Sequence, residues 1–264
     1  MWTLLAVTLA IQSPPPGPAP SAPPARATVA VRAGLDSLYA GAFEAAARYF
    51  ARLAAADTAD PAPMVFEASA YMWWAAARDS SDFERRRVDS LLALAIGRAR
   101  RLGPAADFWL GTAHGYRARE RDLKGETWGA AQDGKAMRDA YRRVLRADPT
   151  CVDCYLGLGV YHYGLARAPA IARFVARLVG LGSGNADSAF TYLRRASAAG
   201  DLAAVEATWV LAAALERDAA RARDAASRAA LEAEARSTVV GLAARYPANP
   251  VFSRFLARRP EQAQ

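Results

Sequence analysis

The feature that most constrains this sequence is a recurring unit of two apolar helices joined by a short turn. Residues 29–39 form the first predicted helix, and the chain then breaks at Gly41. A second helix follows, with Ala46 and Phe50 on one face, and the unit closes at Pro61. Each unit leaves an apolar face uncovered, so neighbouring units must stack on one another.

Further helix pairs follow the first along the chain. The third pair has a long predicted connection, and an insertion at residues 165–185 divides the fourth. The predicted elements are helices 64–77 and 82–102, a third pair from Phe108 to Pro149, helices 155–163 and 186–199, helices 202–217 and 220–246, and a final helix at 251–258.

Composition favours helices throughout. Apolar residues make up 53% of the 264 positions and charged residues 23%, which is typical of a folded globular protein. Alanine dominates and β-branched residues are sparse, so local propensity favours helix almost everywhere after residue 28. The sequence therefore predicts an all-α fold.

The signature residues of the first and fourth units resemble the tetratricopeptide repeat. Gly34, Ala46 and Phe50 match its small and aromatic positions, and residues 155–163 match the aromatic, leucine, glycine and aromatic spacing of its first helix. The resemblance implies a right-handed superhelical stack of antiparallel helix pairs over residues 29–258. We expect about five pairs and a C-terminal cap helix.

The resemblance also implies a function and a site. In tetratricopeptide proteins the first helices line a concave groove that binds a peptide or protein, without catalysis or a cofactor. The corresponding groove residues are Phe108, Thr112, Tyr116, Leu156, Val160 and Tyr163. An ordinary packed core at these positions remains an alternative, and so does a structural protein that associates with itself.

The chain ends predict export and short unstructured segments. Residues 1–11 are apolar like the hydrophobic stretch of a signal peptide and too short to span a bilayer. We expect a Pro-rich linker at 12–28, a disordered tail at 259–264, and a mature chain without an integral membrane span. The predicted location is periplasmic or secreted, or cytoplasmic if the leader does not function.

Cys151 and Cys154 are the only cysteines, and they lie where a helix should begin after Pro149. They are interpreted as ordinary helix residues, as a structural disulfide of an oxidising compartment, or as a redox pair. The chain lacks the strand-turn-helix setting of thioredoxin-like proteins, which argues against the redox interpretation.

Histidines and charges point away from metal and nucleic-acid binding. Cys154 and His162 are separated by about 12 Å of helical rise, too far for one zinc ion. His114 and His162 each follow a glycine by three residues in a first helix, where the motif usually carries an aromatic packing residue, so they are expected to be hydrogen-bonded interior residues. The net charge is +8, but acidic residues are interspersed with the basic ones, so no nucleic-acid partner is predicted.

The insertion contains an amphipathic segment, residues 171–179, with two arginines. We expect this segment to cover the neighbouring helices; contact with a membrane or a partner is the alternative.

Overall fold

The described part of the chain consists of helices joined by turns and short loops. A computed structural model describes residues 28–178 and 180–258, and every regular element in these ranges is a helix, which confirms the predicted all-α class. A short 3-10 helix at Gly103–Ala106 precedes α5. The α-helices are α1 (Val29–Tyr39), α2 (Phe43–Ala56), α3 (Ala62–Arg78), α4 (Arg85–Leu102), α5 (Asp107–Leu123), α6 (Thr127–Ala147), α7 (Cys154–Arg167), α8 (Ala170–Leu178), α9 (Ala186–Ala199), α10 (Ala204–Ala219), α11 (Ala225–Arg245) and α12 (Pro250–Ala257).

The predictions for the chain ends lie almost wholly outside the described residues. This holds for the leader at 1–11, the linker at 12–27 and the tail at 259–264. Thr28, the last residue of the predicted linker, is described, and its side chain accepts a 3.2 Å hydrogen bond from the backbone N–H of Val31. This bond caps α1, which begins at Val29 as predicted.

Helix ends follow the local sequence. Gly103 has a positive φ of 67° and stops α4 where the Gly-Pro pair predicts an end. The side chains of Asn185, Asp224 and Asn249 cap the starts of α9, α11 and α12. The long connection predicted within the third pair is wrong, because the extra residues lengthen α5 and α6 and leave only residues 124–126 between them.

From α1 to α8, and again from α9 to α12, each helix packs against the next, and α9 also packs against α7. In addition, α1 contacts α3, α3 contacts α5, α5 contacts α7, and α7 contacts α10. We call the layer formed by α1, α3, α5, α7 and α10 the first-helix face. Residues 62–73 of α3 are buried on every side, because α1, α2, α4, α5 and α12 all pack around this helix.

Glycines allow close approach between the paired helices. A Cβ atom on Gly34 would lie 2.4 Å from the ring of Phe50, and one on Gly157 would lie 2.2 Å from Cε2 of Tyr141. A Cβ atom on Gly111 would lie 2.9 Å from Cε1, on the opposite side of the same tyrosine ring. Tyr141 of α6 therefore fits between α5 and α7 because both helices carry glycine at the contact.

Replacing Gly157 with alanine is expected to lower the free energy of unfolding by about 1–3 kcal/mol, because the added methyl group overlaps a buried ring. Gly164 on the same helix has no atom within 4 Å of its Cβ position. Gly164→Ala should therefore stabilise α7 by about 0.5–1 kcal/mol. Urea unfolding measures the free energy of unfolding of both variants. Equal changes in the two variants would contradict the packing of Tyr141 against Gly157.

The prediction that the amphipathic segment of the insertion covers the neighbouring helices is wrong. Ile171, Phe174 and Leu178 of α8 are exposed, and Ala176 is the buried side chain among those described in this helix. The chain is held after α8 instead, where Leu181 is buried and its carbonyl accepts a 2.8 Å hydrogen bond from Nη1 of Arg138.

Candidate functional site

Helix α12 lies on the first-helix face, where it packs against both α3 and α10. Phe252 is fully buried, with its ring centroid 5.6 Å from that of Trp73 in α3 and 5.8 Å from that of Trp209 in α10. Phe255 meets Trp209 edge to face at 5.5 Å. Such aromatic contacts bury large apolar areas, so this part of the face is filled by the chain itself.

Polar contacts fix α12 in the same place. Asn249 donates from Nδ2 to the carbonyl of Tyr39 at 2.9 Å. Arg254 donates to the carbonyls of Ala76 and Ala77 at 3.2 and 2.6 Å, at the end of α3, where a helix leaves carbonyls without intrahelical partners. The face therefore holds α12 through aromatic side chains and through backbone carbonyls that accept hydrogen bonds from a guanidinium group of that helix.

Two predicted groove residues of α5 face α6 instead of an open groove. Phe108 is buried, with its ring 5.8 Å from that of Tyr141. The hydroxyl of Thr112 donates to the carbonyl of Phe108 at 2.9 Å and lies 3.0 Å from the hydroxyl of Tyr141. Their assignment to a partner surface is corrected, because both side chains are occupied in packing α5 against α6.

Tyr116 is also unavailable to a partner. It is buried, and its hydroxyl donates to the carboxylate of Glu206 in α10. Burial, followed by the negative charge of Glu206, holds the pKa of Tyr116 well above its ordinary value. Burial also raises the pKa of Glu206, although the hydrogen bond from Tyr116 opposes it. This pair joins α5 to α10 within the first-helix face.

The remaining predicted groove residues lie on α7, where the face is more open. Tyr163 donates to Oδ1 of Asp218 at 3.0 Å, so its side of the helix points to α10, whereas Gly157 points to α6. At about 100° per residue, Val160 falls between these two directions, and it is 41% exposed. Leu156 is partly buried on the same side. Val160 is therefore the predicted groove residue most accessible to a partner.

Two open cavities flank the face. One has a volume of about 340 Å³ and lies between the ends of α3 and α5, next to the turn that holds Asp79 in a left-handed conformation (φ 54°). The ion pair of Arg119 with Glu120, at 2.8 Å, forms part of its wall. The other, of about 320 Å³, lies at the start of α2 beside Trp74.

A buried polar cluster of His114, Arg117, Arg121 and Asp133 joins α5 to α6. Arg117 donates to Asp133 at 2.9 and 2.6 Å, and Arg121 donates at 2.7 Å. Burial alone would raise the pKa of Asp133, but hydrogen bonds from His114 and Arg117 lower the pKa to about 2. An ionised carboxylate only accepts hydrogen bonds, so Nδ1 of His114, 2.6 Å away, carries a proton.

The two histidines differ from each other. His114 is a hydrogen-bonded interior residue, as expected. His162 is not, because its buried Nδ1 has no hydrogen-bond partner among the described residues. Burial, then the nearby charges of Arg142 and Arg138, lower the pKa of His162. Within residues 28–178 and 180–258, no group of three His, Cys, Asp or Glu side chains is placed to hold a metal ion.

Cys151 and Cys154 form a disulfide at the start of α7, and both are buried. Asp153 between them accepts hydrogen bonds from the backbone N–H groups of Asp201, Leu202 and Ala203 at 2.7–3.1 Å. The disulfide thus borders the contact that fixes the start of α10.

Sequence reasoning missed the residues that bind α12 and the charged residues of the polar cluster, whereas it predicted His114 as an interior residue. Asn249 and Pro250 mark a helix start, yet nothing local indicates that this helix returns to α3. Asp133 could have been found from its position on the apolar side of a helix, because a buried carboxylate needs a cationic or hydrogen-bonding partner.

Comparison of the chain with protein-family models, curated proteins and solved structures finds no match. In the described part of the chain, no helix is long and apolar enough to cross a membrane.

Proposed function

We propose that this chain is a non-catalytic protein-binding module of the tetratricopeptide type, which presents its first-helix face to a peptide or protein segment. The observation that carries the proposal is the binding of α12 on that face. A helix is held there by buried Phe252 and by Arg254, which reaches the free carbonyls at the end of α3. Grooves that bind partner helices use similar apolar anchors and polar ends.

The arrangement of the helices supports a superhelical stack. Contacts join successive first helices in chain order, as expected when equivalent helices of neighbouring pairs form one layer. The ion pair of Arg32 with Asp201 and the contact of Trp73 with Trp209 also bring α10 to α1 and α3, so the two ends of the layer meet. We infer a right-handed, tetratricopeptide-like solenoid of about five pairs. In this solenoid α12 covers the layer where α3 and α10 meet, and α7 offers Leu156 and Val160 to an external partner.

The disulfide supports an extracytoplasmic location, because disulfides persist mainly in oxidising compartments. This agrees with the expected leader.

The test is a pull-down with the tagged chain from a detergent-solubilised envelope fraction, compared with two variants. Val160→Arg places a charge on the open part of the face. Val240→Arg makes the same change at a 54% exposed valine of α11, outside the face. Circular dichroism checks that all three chains keep the same helicity.

We expect one partner to be retained by the native chain and by Val240→Arg. Val160→Arg should weaken its retention by roughly tenfold or more, as expected for a central contact. Equal retention by both variants would place the site elsewhere. If no partner is retained and the mass rises with concentration, the chain is a self-associating structural protein instead.

A further inference from the structure

Helix α8 presents an apolar surface directed away from the protein. Ile171, Phe174 and Leu178 are 80%, 59% and 70% exposed, and we call these three side chains the α8 patch. At about 100° per residue they fall within about 60° of the helix circumference. Ala176, which is buried, lies on the opposite side. The patch is therefore a continuous apolar ridge on the surface.

The charges around the ridge have one sign. Arg173 and Arg177 lie together along one side of it in the same helix, and no acidic residue occurs between Asp153 and Asp187. Arg173 donates to the carbonyl of Ala168 at 2.7 Å. Among the described residues neither arginine forms an ion pair, whereas Arg167 just before α8 is paired with Asp218. Both cationic groups are thus available to an anionic surface.

The segment that follows α8 is held against α6 and α7. The carbonyl of Leu181 accepts hydrogen bonds from Arg138 and from the hydroxyl of Tyr161. A Cβ on Gly184 would lie 2.2 Å from the backbone nitrogen of Ala166 in α7, so this segment is pressed closely onto α7. Because these contacts hold the chain directly after α8, and Arg167 just before α8 is paired with Asp218, both ends of the helix are held to the protein.

The geometry points to a lipid surface as the occupant: we propose that α8 docks the protein on an anionic phospholipid bilayer, with the α8 patch inserted among the acyl chains and Arg173 and Arg177 at the headgroups. An apolar face with flanking arginines is typical of helices that lie in the membrane interface. The nine residues of α8 form a helix only about 14 Å long. Such a helix is too short to cross a bilayer, so α8 lies along its surface. Three apolar side chains are also few for a stable protein interface, which buries about 800 Å² on each partner.

The test is co-sedimentation of the full chain with vesicles of mixed phosphatidylcholine and phosphatidylglycerol, and with vesicles of phosphatidylcholine alone. We expect binding to the mixed vesicles that weakens as salt is raised. Ile171→Ser with Phe174→Ser should reduce binding by roughly tenfold or more, since the inserted apolar area is lost. Arg173→Gln with Arg177→Gln should reduce it by roughly fivefold per arginine.

Matched controls make the same changes elsewhere on the surface. Leu94→Ser with Val240→Ser removes two exposed apolar side chains, and Arg217→Gln with Arg223→Gln removes two exposed arginines. These variants should bind like the native chain. The proposal is overturned if native protein does not sediment with mixed vesicles, or if the controls lose as much binding as the α8 variants. Self-association that the α8 variants abolish would also overturn it, because a second copy would then cover the patch.

Discussion

Replacing Asp133 with alanine is expected to lower the free energy of unfolding by about 3–5 kcal/mol, because it leaves buried His114 and two half-buried arginines without their carboxylate. Asp133 accepts hydrogen bonds from His114, Arg117 and Arg121, and its own side chain is almost completely buried. Denaturant unfolding followed by circular dichroism measures the loss.

The matched control is Glu44→Ala, which removes an exposed carboxylate paired with Arg48 one helical turn away. Exposed pairs of this kind contribute about 0–1 kcal/mol, so the control should remain close to the native chain. Similar losses in the two variants would show that the buried cluster does not hold α5 to α6.

The same cluster predicts a pH dependence. The pKa of Asp133 is about 2 in the folded chain, below its ordinary value of 3.8. Its contribution to stability is therefore complete above about pH 4 and is lost as the pH falls through about 2. Asp133→Asn removes this titration, so its stability should fall less than that of the native chain over the same interval.

Replacing Phe252 with alanine is expected to cost about 3–5 kcal/mol and to release α12 from the first-helix face. The ring of Phe252 is fully buried between Trp73 and Trp209, and the variant leaves a cavity between these indoles. Denaturant unfolding measures the stability, and faster hydrogen exchange in α12 reports its release. Tryptophan fluorescence should also change, since both indoles border the cavity.

Phe174→Ala provides the comparison, because it makes the same substitution at an exposed position of α8. Surface changes of this kind usually stay within about 0.5 kcal/mol. If Phe252→Ala were as mild as Phe174→Ala, α12 would not be an integral part of the first-helix face.

Most helix positions could be predicted from local sequence. Apolar spacing located α1 as observed, and the Gly-Pro pair after Leu102 marked the end of α4. The connection between α5 and α6 was misjudged because its residues lack a strong apolar stripe. Their helical structure depends on interior pairs, such as Arg117 with Asp133, that join residues distant in sequence.

The candidate site was harder to predict than the fold. An apolar stripe on a helix has the same sequence pattern whether it lines a groove or packs against another helix. The pattern therefore did not show that Phe108 and Tyr116 are buried whereas Val160 is exposed. The burial of Phe108 and Tyr116 depends on α6 and α10, and the covering of Trp73 depends on α12. These contacts join segments far apart in the chain, which periodicity does not encode.

The exposed ridge of α8 shows the opposite situation. Its amphipathic pattern was evident in the sequence, but a pattern alone does not say whether the apolar side faces the protein. The structure turns Ala176 inward and leaves Phe174 outward.

Site-specific photo-crosslinking tests the central claim most directly. A photoreactive phenylalanine analogue is placed at position 160 of α7 in one chain and at position 240 of α11 in another, and both are irradiated in the intact envelope. The account predicts that position 160 captures one segment of one partner protein, that position 240 does not, and that the same segment as a synthetic peptide competes. Identical products from both positions, or crosslinks from position 160 to copies of this chain alone, would contradict it.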